Sequence, residues 1–283
     1  MKGLISVLSL ALLWPAHPSL AQLSPPNAAG VAMGHLHFHV RDVEANKTFW
    51  MELGATPAKL GTTEVMKLPG VVIFLEQAKP AGGSEGSVVN HVGFRVPDHR
   101  LSLEKWEAAG LRTELSESGN VGYVFTPDGE KVEILKDGGQ NLDFDPDDGA
   151  KDFSVQHSRM TTPIAFHHIH FFGPEGSVKE IKAWYVSMFG ARPGKRVHYE
   201  VANMPGVELD YSGSPTATAA TKGRTLDHIG FEVKNLKVFC RKLETAGVKF
   251  NVPYAKNATG VATAILTDPW GASIELTEGL NRL

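Results

Sequence analysis

Polar and apolar residues alternate strictly from His35 to Val40, which predicts a half-buried strand. The spacing then turns helical, with apolar residues at Val43, Phe49, Trp50 and Leu53. Asp42 is placed to cap that helix and Gly54 to end it. Short β-like runs follow, such as Val71 to Leu75. The pattern restarts with a strand at His91 to Val96 and a helix carrying Leu101, Leu103 and Trp106, closed by Gly110. Two strands are expected near Tyr123 to Thr126 and Lys131 to Leu135. The remainder runs in the same order, with helices near Ser177 to Phe189 and Leu236 to Ala246. Each unit reads strand, helix, then two or three strands.

The chain also repeats itself in residue identity. His35-Leu36-His37-Phe38 returns as His168-Ile169-His170-Phe171, and His91-Val92-Gly93-Phe94 returns as His228-Ile229-Gly230-Phe231. Pro69-Gly70-Val71 returns as Pro205-Gly206-Val207, and Val132-Glu133-Ile134 as Ile274-Glu275-Leu276. The offset drifts from 133 to 142 residues, as loop insertions would produce. Between the halves the chain is acidic and rich in Gly, Asp and Pro, as a linker would be. Asp143, Asp145 and Asp147 have calcium-loop spacing, but Gly149 comes one place late and Ser154 stands where a Glu is needed, so that reading is rejected.

Composition adds limits rather than chemistry. The chain has 283 residues, enough for two domains, and a formal net charge of -3 that gives no reason to expect nucleic acid binding. Lys2, the apolar run Leu4 to Trp14, the breaks at Pro15 and Pro18, and Ser19-Leu20-Ala21 form the pattern of a signal peptide over residues 1–21. A periplasmic or secreted protein is therefore expected, with no lipid anchor, and no membrane contact once the signal is cut. Cys240 is the single cysteine and falls on the apolar face of a predicted helix, which marks it as core and leaves no internal disulfide.

The recurring residues also carry chemistry. His35, His91 and Glu133 occupy in the first half the places that His168, His228 and Glu275 occupy in the second. Imidazole and carboxylate donors suit a borderline divalent metal, and three of them leave coordination positions for water or a substrate. One metal site per half is expected, holding Fe, Ni, Zn, Mn or Co. A single His is most often structural; the paired recurrence is what favours ligation here.

On these residues, and on the closing Thr267-Asp268-Pro269-Trp270-Gly271-Ala272-Ser273-Ile274-Glu275-Leu276, the chain resembles the vicinal oxygen chelate superfamily, which includes glyoxalase I, extradiol dioxygenases and bleomycin-binding proteins. The resemblance implies an α+β fold of four βαβββ units paired into two half-open barrels, each around one metal that a substrate's neighbouring oxygens chelate. The expected layout is a first domain at 31–137, a linker at 138–163 and a second domain at 164–283. In glyoxalase-like sites a fourth acidic ligand lies in the last strand of the odd unit. Asp210 holds that place in the second half, as ligand or base or else as a solvent-facing residue. Phe74 holds it in the first half, with Glu76 on the same strand face. The second half is accordingly expected to carry the activity. Tyr123, ten residues before Glu133, agrees with part of the extradiol dioxygenase pattern, although the His upstream in that pattern is missing. His37 and His170 lie two residues after proposed ligands and so face the same clefts, as acid-base groups or as structural hydrogen-bonding ones; His39 continues that face, and His167 is expected to point away.

Three functions stay open. One is a metal-dependent lyase or isomerase of glyoxalase type, with His37, His170, Asp210 or Tyr123 as catalytic candidates. Another is an iron(II) extradiol-type dioxygenase. The third is a small-molecule binding protein with no catalysis. The expected partner is a small-molecule substrate, and the chain is expected to be a monomer or a homodimer.

Overall fold

Asp42 does cap the first helix: its Oδ1 accepts from the backbone N–H of Ala45 at 2.9 Å. That satisfies one of the free donors at a helix start. In the computed structural model, which describes residues 23–139, 142, 144–150, 160–257 and 260–283, the first unit comprises β1 (Val31–Val40), α1 (Val43–Glu52), β2 (Thr56–Leu60), β3 (Thr63–Leu68) and β4 (Val71–Gln77). The second has β5 (Val89–Val96), α2 (His99–Ala108), β6 (Arg112–Leu115), β7 (Val121–Phe125) and β8 (Lys131–Lys136). The third has β10 (Ala165–Pro174), α3 (Val178–Phe189), β11 (Arg192–Arg196), β12 (Tyr199–Met204) and β13 (Val207–Ser214). The fourth has β14 (Leu226–Val233), α4 (Leu236–Thr245), β15 (Phe250–Lys256), β16 (Ala262–Thr267) and β17 (Ser273–Glu278). The fold is therefore α+β and built of βαβββ units. The expected signal peptide, and Asp143 and Ser154 of the rejected calcium loop, lie outside the described residues.

The alternation in β1 separates two environments. Leu36, Phe38 and Val40 are buried in the core, while His35, His37 and His39 face the other side of the sheet. The core runs through the whole molecule. Trp50 of α1 packs on Phe94 of β5 with ring centroids 5.9 Å apart, Phe94 meets Phe166 of β10 at 5.1 Å, and Phe189 of α3 meets Phe231 of β14 at 5.1 Å. Cys240 is buried in this core and free.

The sheets do not follow the halves of the sequence. Among the described residues, one sheet has the order β15-β16-β17-β14-β1-β4-β3-β2, and the other β6-β7-β8-β5-β10-β13-β12-β11, ending on β9 (Phe144–Pro146). The first unit thus pairs with the fourth, through antiparallel β1 and β14, and the second with the third, through antiparallel β5 and β10. This corrects the expectation of one metal site within each half. The segments joining unit one to two and unit three to four run side by side: Val88 N–H donates to Ala219 O at 2.8 Å, Ala219 N–H to Gly86 O at 3.0 Å, and Ala81 N–H to Gly223 O at 2.8 Å. These crossings carry each chain half from one sheet to the other. The stretch between the halves is also more than a linker, since β9 extends the second sheet by pairing with β11.

Candidate metal centres

In the second sheet three neighbouring strands set the geometry. Gly93 on β5 stands opposite His168 on β10 and opposite Glu133 on β8. His91 lies two residues before Gly93, on the same face. The register slips between Phe166 and His168, and this irregularity places the His168 ring over the gap left by the missing side chain of Gly93; a methyl group there would overlap the ring. His91 Nε2 lies 2.7 Å from Glu133 Oε2, and His168 Nε2 lies 3.5 Å from the same oxygen. His170 joins them: one nitrogen of each of His91, His168 and His170 lies within 4.8 Å of the others.

The first sheet repeats the arrangement. Gly230 on β14 stands opposite His35 on β1 and Glu275 on β17, with His228 two residues earlier. The register slips at Gly34, just before His35, and a side chain on Gly230 would overlap the His35 ring. His35 Nε2 lies 3.0 Å and His228 Nε2 3.2 Å from Glu275 Oε2. Here the side facing β4 is closed by Phe74, whose ring is edge-on to His35 at 5.0 Å and stacked on His37 at 5.8 Å.

All six sequence-predicted ligands therefore meet, but in crossed sets: His91, Glu133 and His168 in one sheet, and His35, His228 and Glu275 in the other. The donor sets fit a divalent cation on several counts. His35 Nδ1 is buried without a hydrogen bond, and His35 Nε2 and His168 Nε2 face the Glu275 and Glu133 carboxylates without well-formed ones. An unsatisfied buried polar atom is costly, and a cation would satisfy it. Charge agrees. Burial opposes ionisation of Glu133, yet its contacts with His168 and His91 outweigh this and hold the carboxyl well below its usual range. Burial similarly opposes charge on Glu275, but His228 and His35 hold it ionised. His168, pushed down to about 4 chiefly by burial, is neutral and has its lone pair free for a metal.

The second-sheet set opens on a cleft of about 470 Å³ lined by Tyr123, His170, Phe172, Arg196 and Tyr199 as well as His91 and Glu133. Tyr123 is the cross-strand partner of Glu133. Burial raises both tyrosines, so they stay protonated. His170 Nε2 lies 2.8 Å from Ser212 Oγ, and burial together with repulsion from His91 and His168 pushes it well down. Asp210 is not gathered with the His91, His168 and His170 donors. It is fully buried and ion-paired with Arg196, which also pairs with Glu208. Burial and the nearby Glu208 raise Asp210 well above the ordinary carboxyl range. The cleft is not confined to the second half of the sequence: it draws His91, Tyr123 and Glu133 from the first half and His170, Arg196 and Tyr199 from the second.

His37 packs against His228 with ring centroids 4.4 Å apart, beside the first-sheet set. Three further residues escape a reading by strand face. Asn90 Oδ1 lies 2.9 Å from His91 Nδ1, and Asp227 Oδ2 lies 2.7 Å from His228 Nδ1. Such partners fix the tautomer and orient a ligating ring. Their signal was present: a side-chain acceptor directly precedes the His in both copies of the His-x-Gly-Phe motif. His167, expected to point away, lies with Nδ1 3.0 Å from His168 Nδ1 because the register slip falls on it.

Residues 165–276 match the family described as the Glyoxalase/Bleomycin resistance protein/Dioxygenase superfamily. Glyoxalase I from Zea mays superposes with a TM-score of 0.62 at 13% identity, covering 89% of this chain and 94% of that one. Its V278E mutant gives 0.64 at 14% identity, with the same shares covered. A putative dioxygenase from Bacillus subtilis subsp. subtilis str. 168 gives 0.60 at 14% identity, covering 91% of this chain and 86% of that one. At these identities the likeness is one of fold. No curated protein matches the chain significantly.

Proposed function

From a chain that carries a glyoxalase, bleomycin resistance and dioxygenase superfamily domain over residues 165–276, and that shares the fold of glyoxalase I over most of its length, we propose a metal-dependent enzyme of lyase or isomerase type. It would act on a small substrate with two adjacent oxygens, in the cleft of the second sheet. The observation that carries this reading is that His91 and Glu133 open on a cleft whose wall also holds His170, with His168 behind them against Glu133.

His91, His168 and Glu133 would hold the ion. When bound, a divalent metal polarises a carbonyl and lowers the barrier to removing a neighbouring proton. His170, whose ring is fixed through Nε2 by Ser212 Oγ, is the cleft histidine that would accept or return that proton. The protonated Tyr123 and Tyr199 offer hydrogen bonds to substrate oxygens. Arg196, held by Asp210 and Glu208, lends positive charge to the same wall. A cleft of about 470 Å³ suits a small molecule. Both donor sets are complete within one chain, so catalysis in this reading needs no second copy. The charged start and apolar Leu4 to Trp14 support export as part of the proposal. N-terminal sequencing of the periplasmic protein tests it: a mature start at Gln22 supports export, and an uncut start in the cytoplasm removes it.

A second reading has its own support. Two histidines and one carboxylate also suit iron(II) and oxygen chemistry, and Tyr123 and His170 share the cleft as ring cleavage would require. One experiment separates the two. Protein loaded with Ni, Zn, Co or Mn is incubated with α-hydroxycarbonyl compounds in heavy water, and exchange of the C–H is followed by NMR. Iron(II)-loaded protein is given catechols, and oxygen uptake is followed. Exchange that disappears in His91→Ala and His170→Asn supports the lyase or isomerase reading; oxygen uptake without exchange replaces it with the dioxygenase. Ligand binding with neither reaction leaves a binding protein.

A further inference from the structure

We propose that His37, His39 and Glu76 form an additional cation site, beside the His35–His228–Glu275 set, for a borderline divalent ion such as zinc, cobalt, nickel or copper. The three residues come from adjacent parallel strands, β1 and β4, in which His37 is registered with Phe74 and His39 with Glu76. The two imidazoles converge on one carboxylate oxygen: Glu76 Oε2 lies 3.1 Å from His37 Nε2 and 3.6 Å from His39 Nε2. The rings are 6.0 Å apart and nearly perpendicular. One donor atom of each residue lies within 4.8 Å of the other two. Two imidazoles and a carboxylate select borderline metals over calcium or magnesium.

The site is open where an ion must enter. The Glu76 side chain is 59% exposed, whereas those of His37 and His39 are 18% and 16% exposed. Asp227 links the site to its neighbour. Its Oδ1 lies 3.7 Å from His39 Nδ1 and its Oδ2 2.7 Å from His228 Nδ1, so one carboxylate supports a ring in each set.

The repeat supplies an internal control. In the other sheet the positions of His39 and Glu76 are taken by Phe172 and Ser212, which share the corresponding register. The cluster is therefore not part of the repeated ligand set but belongs to the first unit alone. It is also independent of the proposed chemistry in the second-sheet cleft.

The test is a cobalt(II) titration of metal-free full-length protein, read by calorimetry, by visible absorption and by metal content after desalting. Wild type, His39→Ala, Glu76→Gln, His228→Ala and His91→Ala are compared, with melting curves of the metal-free proteins as the check on folding. The expected wild type binds three equivalents. His39→Ala loses one, and Glu76→Gln binds that one at least tenfold more weakly, while His228→Ala and His91→Ala each lose a different one. Wild-type isotherms and spectra in both His39→Ala and Glu76→Gln overturn the proposal, whatever the other sites do. Loss of binding in His91→Ala alone bears on the enzymatic reading and leaves this one standing.

Discussion

The imidazole of His168 occupies the space where a side chain on Gly93 would stand. His35 bears the same relation to Gly230 in the other sheet. A ligand from one strand thus covers a glycine on the next, and the carboxylate partner flanks that glycine on its far side. Replacing Gly93 by Ala should displace His168, cost about 1–3 kcal/mol of stability as overpacking does, and remove the metal of the second-sheet set only. Gly230→Ala should do the same to the first-sheet set. Metal content per chain, alongside urea unfolding, checks both; full metal occupancy in Gly93→Ala would contradict this account of the glycine.

Asn90 and Asp227 should act through the rings they orient. Loss of such a partner typically weakens metal binding about 10–100-fold. Asn90→Ala should therefore weaken the His91 set and Asp227→Ala the His228 set, each leaving the other unchanged. Competition with a chromogenic chelator measures both constants on one sample. Equal effects of both variants on both sets would mean the substitutions act through global stability instead.

Asp210 gives the opposite expectation. It pairs with Arg196 in the interior and is not among the metal donors. Asp210→Ala should destabilise the fold by about 1–3 kcal/mol, because Arg196 loses one buried hydrogen-bond partner while keeping Glu208. Its metal stoichiometry below the melting transition should stay that of the wild type. A lost equivalent in a still-folded Asp210→Ala protein would restore Asp210 as a ligand.

The buried Glu130 governs a pH effect away from the metals. Burial raises its carboxyl to about 7. Ser84 N–H donates to Glu130 Oε2 at 2.9 Å, and Ser84 Oγ donates to Asn90 O at 2.5 Å and contacts Glu130 Oε1. The folded chain therefore holds this proton more tightly than the unfolded chain, for which the ordinary value is 4.5. Its contribution is fully present below that unfolded value and is lost as pH rises towards and through 7. The loss amounts to about 3 kcal/mol by about pH 8. Glu130→Gln should remove this slope and be the more stable protein at about pH 8. Chemical denaturation across the range checks it, and parallel pH profiles for the two proteins would rule the effect out.

Much of this could be read from local pattern. Alternation in His35 to Val40 separated a core face from a ligand face, and Asp42 announced the helix that follows. All six residues of the two donor sets were marked by type and recurrence. Asp210 misled because its registered neighbour is His170, while the charge that neutralises it comes from Arg196 on β11, at a distance that strand alternation does not encode. His167 misled because a register slip breaks the two-residue period on which its orientation was judged.

The residues along the chain specify four similar units, the face on which each His stands, and the glycines that make room for two of them. They leave open which unit pairs with which. The central strands β1 and β10 are near copies, as are β5 and β14, and backbone hydrogen bonds along a strand edge do not distinguish one copy from another. Pairing His35 with His91 or with His228 satisfies the same local pattern. The choice rests on long-range contacts: the two crossing segments bonded to each other through Val88, Ala219 and Gly86, and a core that continues from Trp50 through Phe94 to Phe166. Together with Phe189 of unit three packed on Phe231 of unit four, they hold the units in the arrangement in which β1 pairs with β14 and β5 with β10, so each donor set spans the two halves of the sequence.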